Sequence, residues 1–153
     1  MLDFRPCPAD EEPAAALLAA MRAEMAELYD GLDLDDPSMP AAGADELGPP
    51  DGIFIVGYEE ERPVCGGGVK RLPDGACEIK RMFVVPDARG RGVARALLAE
   101  LELQARGLGY VCARIDTGPR QPVSQRLFAA AGYRAIANFN DNPVATYFGE
   151  KRL

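Results

Sequence analysis

The chain predicts a mixed α+β sheet, antiparallel in its first half and joined to a parallel crossover in its second. Three observations carry this. Between residues 53 and 85 three apolar, strand-like segments follow one another with only tight turns between them, which builds an antiparallel meander. Beyond Arg89 the apolar spacing changes to a helical repeat. A further strand follows that helix, and a strand, helix, strand succession calls for parallel pairing.

The elements follow in order. Leu2 to Arg5 reads as a short strand before Pro6 and Pro8. Asp10 is the expected N-cap of a first helix, with Glu11 and Glu12 in a first turn where negative charge suits the dipole. Leu17, Leu18, Met21, Met25 and Leu28 recur at helical spacing as its buried stripe, and Glu24 and Glu27 lie on a more polar face. Asp30 to Gly52, dense in Asp, Pro and Gly, is a long loop with a short helix expected near Ala41 to Leu47. Strands follow at Ile53 to Tyr58, Val64 to Leu72 and Ala76 to Val85, the second carrying Gly66-Gly67-Gly68. Gly90 to Arg106 is a helix with Val93, Leu97, Leu101 and Leu108 on one stripe, then come a strand, Tyr110 to Asp116, and a helix, Arg120 to Ala131. Arg134 to Ala137 and Ala145 to Lys151 close the sheet, and the last, as an edge strand, offers a surface for a homodimer.

Composition narrows the function. At 153 residues and 48% apolar content the chain suits a single domain with its own core. No apolar run approaches the roughly 18 residues of a membrane span, and no signal pattern opens the chain, so a cytoplasmic protein without membrane partners is expected. Cys7, Cys65, Cys77 and Cys112 are scattered, which favours free thiols over a zinc site, and no metal is implied. The absence of histidine excludes Ser-His-Asp and Cys-His catalysis. Residues 1–61 hold 16 acidic and 2 basic side chains and residues 62–153 hold 8 and 15, so a polyanion is expected on the second part and a cation on the first. The net charge of −7 and the lack of Trp speak against nucleic acid.

The chemistry concentrates where the third strand meets the helix, in Val84-Val85-Pro86-Asp87-Ala88-Arg89-Gly90-Arg91-Gly92-Val93-Ala94. Glycines strip the turn of side chains and leave backbone N–H groups at a helix start open to an anion, between two arginines. A nucleotide-triphosphate loop would need Lys-Ser/Thr where Val93-Ala94 stands. A dinucleotide fold finds Gly90-x-Gly92 and an acidic Asp116 after the next strand, but Arg95 occupies its third glycine position and a meander precedes the motif. A plain structural turn would not need two arginines as well as two glycines.

Arg89-x-x-Gly92-x-Ala94, preceded by Val84-x-Pro86 and followed by Leu97-Leu98 and Leu127-Phe128-x-x-x-Gly132-Tyr133, resembles the GNAT (Gcn5-related) N-acetyltransferase superfamily over roughly residues 53 to 136. The resemblance implies a sheet of about seven strands, splayed at its central parallel pair, and acetyl-CoA as donor. Residues 1–52 would then form the acceptor side, 53–136 the acetyl-CoA-binding core and 137–153 the closing strands. It places the diphosphate on Arg89, Gly90, Arg91, Gly92, Val93 and Ala94, and the pantetheine arm along Met82, Phe83 and Val84, near Gln121 and Phe128.

Acetyl transfer to an amine needs a base, since an alkylammonium with a pKa of about 10.4 has no free lone pair. Glu78, four residues before Met82, stands where the histone-acetyltransferase branch of the superfamily has its glutamate. Strand alternation assigns it the same face as Lys80, Met82 and Val84. A backbone N–H near Val84 is the oxyanion donor the family implies. Many relatives carry a tyrosine where this chain has Phe128, so the usual acid for the thiolate is missing; Tyr29 and Tyr147 are the substitutes, and Tyr133 reads as packing. Phe128 leaves open an alternative, a CoA-binding sensor without turnover. The acidic first part, with Glu24, Glu27 and Tyr29, implies a primary amine acceptor of cationic character: a small cationic amine, an amino acid or a protein amine. Direct attack in a ternary complex is the expected route.

Overall fold

A computed structural model describes all of residues 1–153. Its elements are β1 (Leu2–Pro6), α1 (Ala14–Leu28), β2 (Ile53–Glu59), β3 (Arg62–Arg71), β4 (Cys77–Val84), α2 (Val93–Gly107), β5 (Cys112–Thr117), α3 (Pro122–Ala130), β6 (Arg134–Ala135) and β7 (Tyr147–Arg152), with a single 3-10 turn at Pro86–Ala88. The seven strands form one sheet in the order β1-β2-β3-β4-β5-β7-β6. Every neighbouring pair is antiparallel except β4 and β5, as the meander and crossover require. The splayed α+β sheet expected from sequence is the fold observed. No helix is long and apolar enough to cross a membrane.

Two apolar layers flank the sheet. On one face α2 lays Leu97, Leu98, Leu101 and Ala105 against Ile55, Val64, Val69, Ile79 and Ile115. On the other, Leu17 and Leu18 of α1 meet Phe54, Val56 and Phe83, with Leu47 of the long loop inserted among them. The glycine run of β3 makes room for both layers: a Cβ at Gly67 would stand 2.8 Å from Leu101, and one at Gly68 would stand 2.8 Å from Leu47. Burial drives the thiols of Cys65 and Cys77 up to about 11 and about 12, so both are poor nucleophiles.

Several expectations are corrected. The first helix begins after Pro13, not Asp10, because Pro13 cannot donate an N–H and starts the helix; Glu12 accepts the Ala16 N–H at 3.1 Å. Ala41 to Leu47 is a run of bends and turns rather than a helix. Gly90 to Gly92 stays outside α2, since Gly90 (φ 79°) and Gly92 (φ 82°) are left-handed. Leu108 is exposed and Ala105 takes its place on the buried stripe. Strand β7 lies between β5 and β6, so the sheet edge is the two-residue β6.

The largest correction concerns β4. Gly66 opposes Phe83 while Gly68 opposes Lys80, so Arg81 and Met82 share the place opposite Gly67. Arg81 adopts φ 58°, the left-handed conformation of a bulge residue. The extra residue reverses the alternation. Cys77 and Ile79 face the α2 layer before it, and Met82 and Val84 face that layer after it, whereas Phe83 joins the α1 layer. Glu78 and Lys80 therefore do not share a face with Met82 and Val84.

Candidate active site

Pairing of the central strands stops ahead of the bulge. β4 and β5 are in register only at Cys77 with Ala113 and Glu78 with Arg114. Beyond that point they part, and the β4 edge from Ile79 onward is open on this side. Val85 donates its N–H to the Val64 carbonyl at 2.9 Å, so alternation turns the Val84 N–H the other way, toward the open edge. A cleft fills the gap. Met21, Met25 and Tyr29, four apart on one face of α1, line it with Leu32, Leu34 and Met39 of the long loop. Lys80, Arg81, Asp116, Thr117 and, from α3, Gln121 and Phe128 complete the wall.

At one end of the cleft's strand stands the anion loop. The backbone N–H groups of residues 90–95 donate to no acceptor in the protein, and the first helical bond is Ala96 N–H to Gly92 O at 3.1 Å. Gly92 in the left-handed region turns the chain into α2 and bares these donors. Arg89 Nε donates to the Val84 carbonyl at 2.9 Å and its Nη2 to Glu24 at 2.7 Å. Arg91 reaches Glu59 with both terminal nitrogens at 2.9 Å. Both guanidiniums are thus held beside the loop by carboxylates that compete with a phosphate. Replacing Glu24 by Gln is expected to tighten pyrophosphate binding at this loop about two- to fivefold at low salt, as for a partly exposed pair, with the gain vanishing at high salt. Calorimetric titration with pyrophosphate at two ionic strengths checks this.

Where β4 and β5 part, side chains replace the missing backbone ladder. Glu78 is fully buried, and its Oε2 accepts from Lys80 Nζ at 3.1 Å and Asn140 Nδ2 at 2.9 Å. The other hydrogen of the Asn140 amide goes to Asp116 Oδ2 at 2.7 Å, which also accepts from Asn142 at 2.9 Å. Lys80 Nζ lies 3.6 Å from that same oxygen. Glu78 Oε1 is buried without a partner. Burial, opposed by Lys80 and reinforced by Asp116, raises the Glu78 carboxyl above the usual range. Asp116 and Lys80 line the cleft; Glu78 and Asn140 stand behind them.

The residues singled out from sequence distribute unevenly. Tyr29 lines the cleft, and its hydroxyl donates to Gln121 Oε1 at 2.9 Å and accepts the Arg120 N–H at 3.3 Å. Gly118 is bare because a Cβ there would collide with that hydroxyl. Glu24 sits on Arg89, and Glu27 is exposed outside the cleft. Phe128 packs edge-on against Tyr133 at 5.8 Å, and the Tyr133 hydroxyl is taken by Glu102 at 2.8 Å. Tyr147 is half-buried and does not line the cleft. Sequence reasoning missed Arg81, Asn140 and Asn142, and met Asp116 only as a possible ribose contact. The Asn138, Asn140, Asn142 alternation was the one available signal.

The model of the "Acetyltransferase (GNAT) family" matches residues 16–133. An uncharacterized N-acetyltransferase of Schizosaccharomyces pombe is 30% identical over 65% of this chain and 62% of its own length. The chain spans about three fifths of the curated relatives it matches first. Among solved structures, a Klebsiella pneumoniae protein proposed to be an acyl-CoA N-acyltransferase aligns with TM-score 0.79 and 25% identity over 100% of this chain and 98% of its own. A GNAT family acetyltransferase of Elizabethkingia anophelis, solved with acetyl-CoA bound, aligns with TM-score 0.70 and 16% identity over 99% and 98%.

Proposed function

Because the chain belongs to the GNAT acetyltransferase family, we propose that it transfers an acetyl group from acetyl-CoA to a primary amine held in the cleft between β4 and β5. The observation that carries this reading is the open β4 edge, with free N–H donors at residues 90–95 and the Val84 N–H turned to the same side. The diphosphate lies on the loop between Arg89 and Arg91, where backbone dipoles and two cations meet it. The pantetheine arm extends the sheet along β4 by strand addition. The Val84 N–H then faces the thioester oxygen and stabilises the tetrahedral oxyanion.

The amine loses its proton toward Glu78. Asp116, in the cleft wall, receives it; the Lys80 ammonium gives a proton to Glu78 and takes the one on Asp116 in its place, while Asn140 holds the two carboxylates in position. A raised carboxyl is the better base near neutrality, which supports Glu78 as the final acceptor. The amine then attacks the thioester carbon, and the C–S bond breaks as the intermediate collapses. A thiolate of pKa about 8.5 leaves without strong acid assistance, so Phe128 does not bar turnover. Of the tyrosines singled out from sequence, Tyr29 lines the cleft and is the one available to protonate the thiolate.

Thiol release from acetyl-CoA in the presence of an amine panel, with acetylated products identified by mass spectrometry, tests the proposal. Amine-dependent release with a matching N-acetyl product is expected. Binding of acetyl-CoA with no release for any amine would support a CoA sensor instead.

A further inference from the structure

The cleft carries one arginine without an ion pair. Of the arginines without an ion pair, Arg95, Arg106, Arg126 and Arg152 are exposed, and only Arg81 is half-buried. Its guanidinium makes a single hydrogen bond, to the Leu34 carbonyl at 3.3 Å. The carboxylate on the neighbouring loop, Asp35, is engaged by Arg22 at 2.9 Å. Lys80 lies 3.1 Å from Glu78 and 3.6 Å from Asp116, so these three groups hold one another and none is within ion-pair distance of Arg81. A half-buried guanidinium with a single hydrogen bond has donors left for a ligand that enters the cleft.

The backbone takes trouble to place it there. Arg81 is the left-handed residue of the β4 bulge, a conformation that costs a non-glycine residue free energy and that re-aims its side chain out of the strand alternation. The side chain reaches the Leu34 carbonyl, in a cleft that Met21, Met25, Leu32, Met39 and Pro40 also line. Burial lowers the guanidinium below its ordinary range, although Arg remains charged at any working pH. The acidic excess of the first 61 residues does not gather here: Glu24, Asp30, Asp35, Glu59 and Glu61 are each on an arginine elsewhere.

We infer that the acceptor is an amine bearing a carboxylate on an apolar body, an apolar α-amino acid, whose carboxylate Arg81 receives while Met21, Met25 and the 32–40 loop hold the side chain. This rests on the transferase reading and narrows its acceptor. Leucine and methionine would place the amine toward Asp116 and the carboxylate toward Arg81, with geometry that a planar fork matches bidentately. It selects the amino acid from among the acceptors that the sequence leaves open.

The test compares leucine and methionine with their decarboxylated counterparts, 3-methylbutylamine and 3-(methylthio)propylamine, in the wild type, Arg81→Met and Arg81→Lys. The wild type is expected to favour the amino acids about 10- to 100-fold in kcat/KM, the size of a charge-assisted pair. Arg81→Met should bring the amino acids down to the level of the plain amines through KM and leave the plain amines within about twofold; Arg81→Lys should retain part of the preference. Equal use of both classes by the wild type, or an equal loss for both in Arg81→Met, would overturn the inference while leaving acetyl transfer standing. If no amine is acetylated, the transferase reading fails, and equilibrium dialysis of N-acetyl-leucine against the CoA-loaded protein decides the remainder. Binding weakened about 10-fold or more by Arg81→Met upholds the carboxylate site, and equal or absent binding overturns it.

Discussion

Replacing Glu78 by Gln is expected to lower kcat by about 10²- to 10⁴-fold, the range lost with a general base. The substitution keeps the shape of a fully buried side chain and removes only its charge and its unpartnered accepting oxygen. The loss should be steeply pH-dependent. In the wild type the acid limb of kcat falls as Glu78 protonates, at a pH above the usual carboxylate range because burial raises this carboxyl. The variant should lack that limb and recover rate toward alkaline pH, where hydroxide takes over. Linkage provides a second readout. A carboxyl with a raised folded pKa stabilises the native state at low pH, and that contribution is lost as pH rises through the window between its unfolded and folded values. Urea unfolding of Glu78→Gln should show a flatter pH slope across that window. An unchanged pH profile with full activity would remove Glu78 from the chemistry.

Asn140→Ala is the largest expected change in stability. One amide donates both hydrogens to buried carboxylates, Glu78 at 2.9 Å and Asp116 at 2.7 Å, and thereby ties β4 to β5 after their backbone pairing has ended. Bonds to charged groups contribute about 1.5–3 kcal/mol each, so about 3–6 kcal/mol should be lost, or a fall in Tm on the order of 6–24 °C at this chain length. Asn140→Asp sharpens the test. It conserves shape but sets a third carboxylate against two others, so it should be less stable than Asn140→Ala at neutral pH and approach it in acid. Denaturant melts at two pH values measure this. Equal stability of the two variants at both pH values would mean that the amide is not bridging the carboxylates.

Much of the fold was legible because it depends on local signals. The meander follows from turns such as Pro73-Asp74-Gly75 between apolar runs, and the anion loop from glycines placed at a strand-to-helix junction. The polar heart of the site depends on long-range encounters instead. Asn140 meets Glu78 across 62 positions, and Glu24 finds Arg89 across 65, distances over which no periodicity speaks. The bulge is the clearest case. Nothing in Lys80-Arg81-Met82 announces a left-handed arginine, yet that one residue inverts the faces of β4 and turns Arg81 into the cleft. Simple alternation therefore identified the correct strand and misassigned half of its side chains. Charge counting along the chain likewise carries no positions: five carboxylates of the first part lie on five separate arginines.

Direct acetyl transfer in the cleft is tested most directly by a single-turnover experiment, following thiol release and N-acetyl product together after protein and acetyl-CoA are mixed with and without leucine. Without the amine, no thiol release and no change in protein mass are expected; with it, thiol and product appear at one rate. Thiol release before the amine is added, with an acetyl group retained on the protein, would contradict direct transfer.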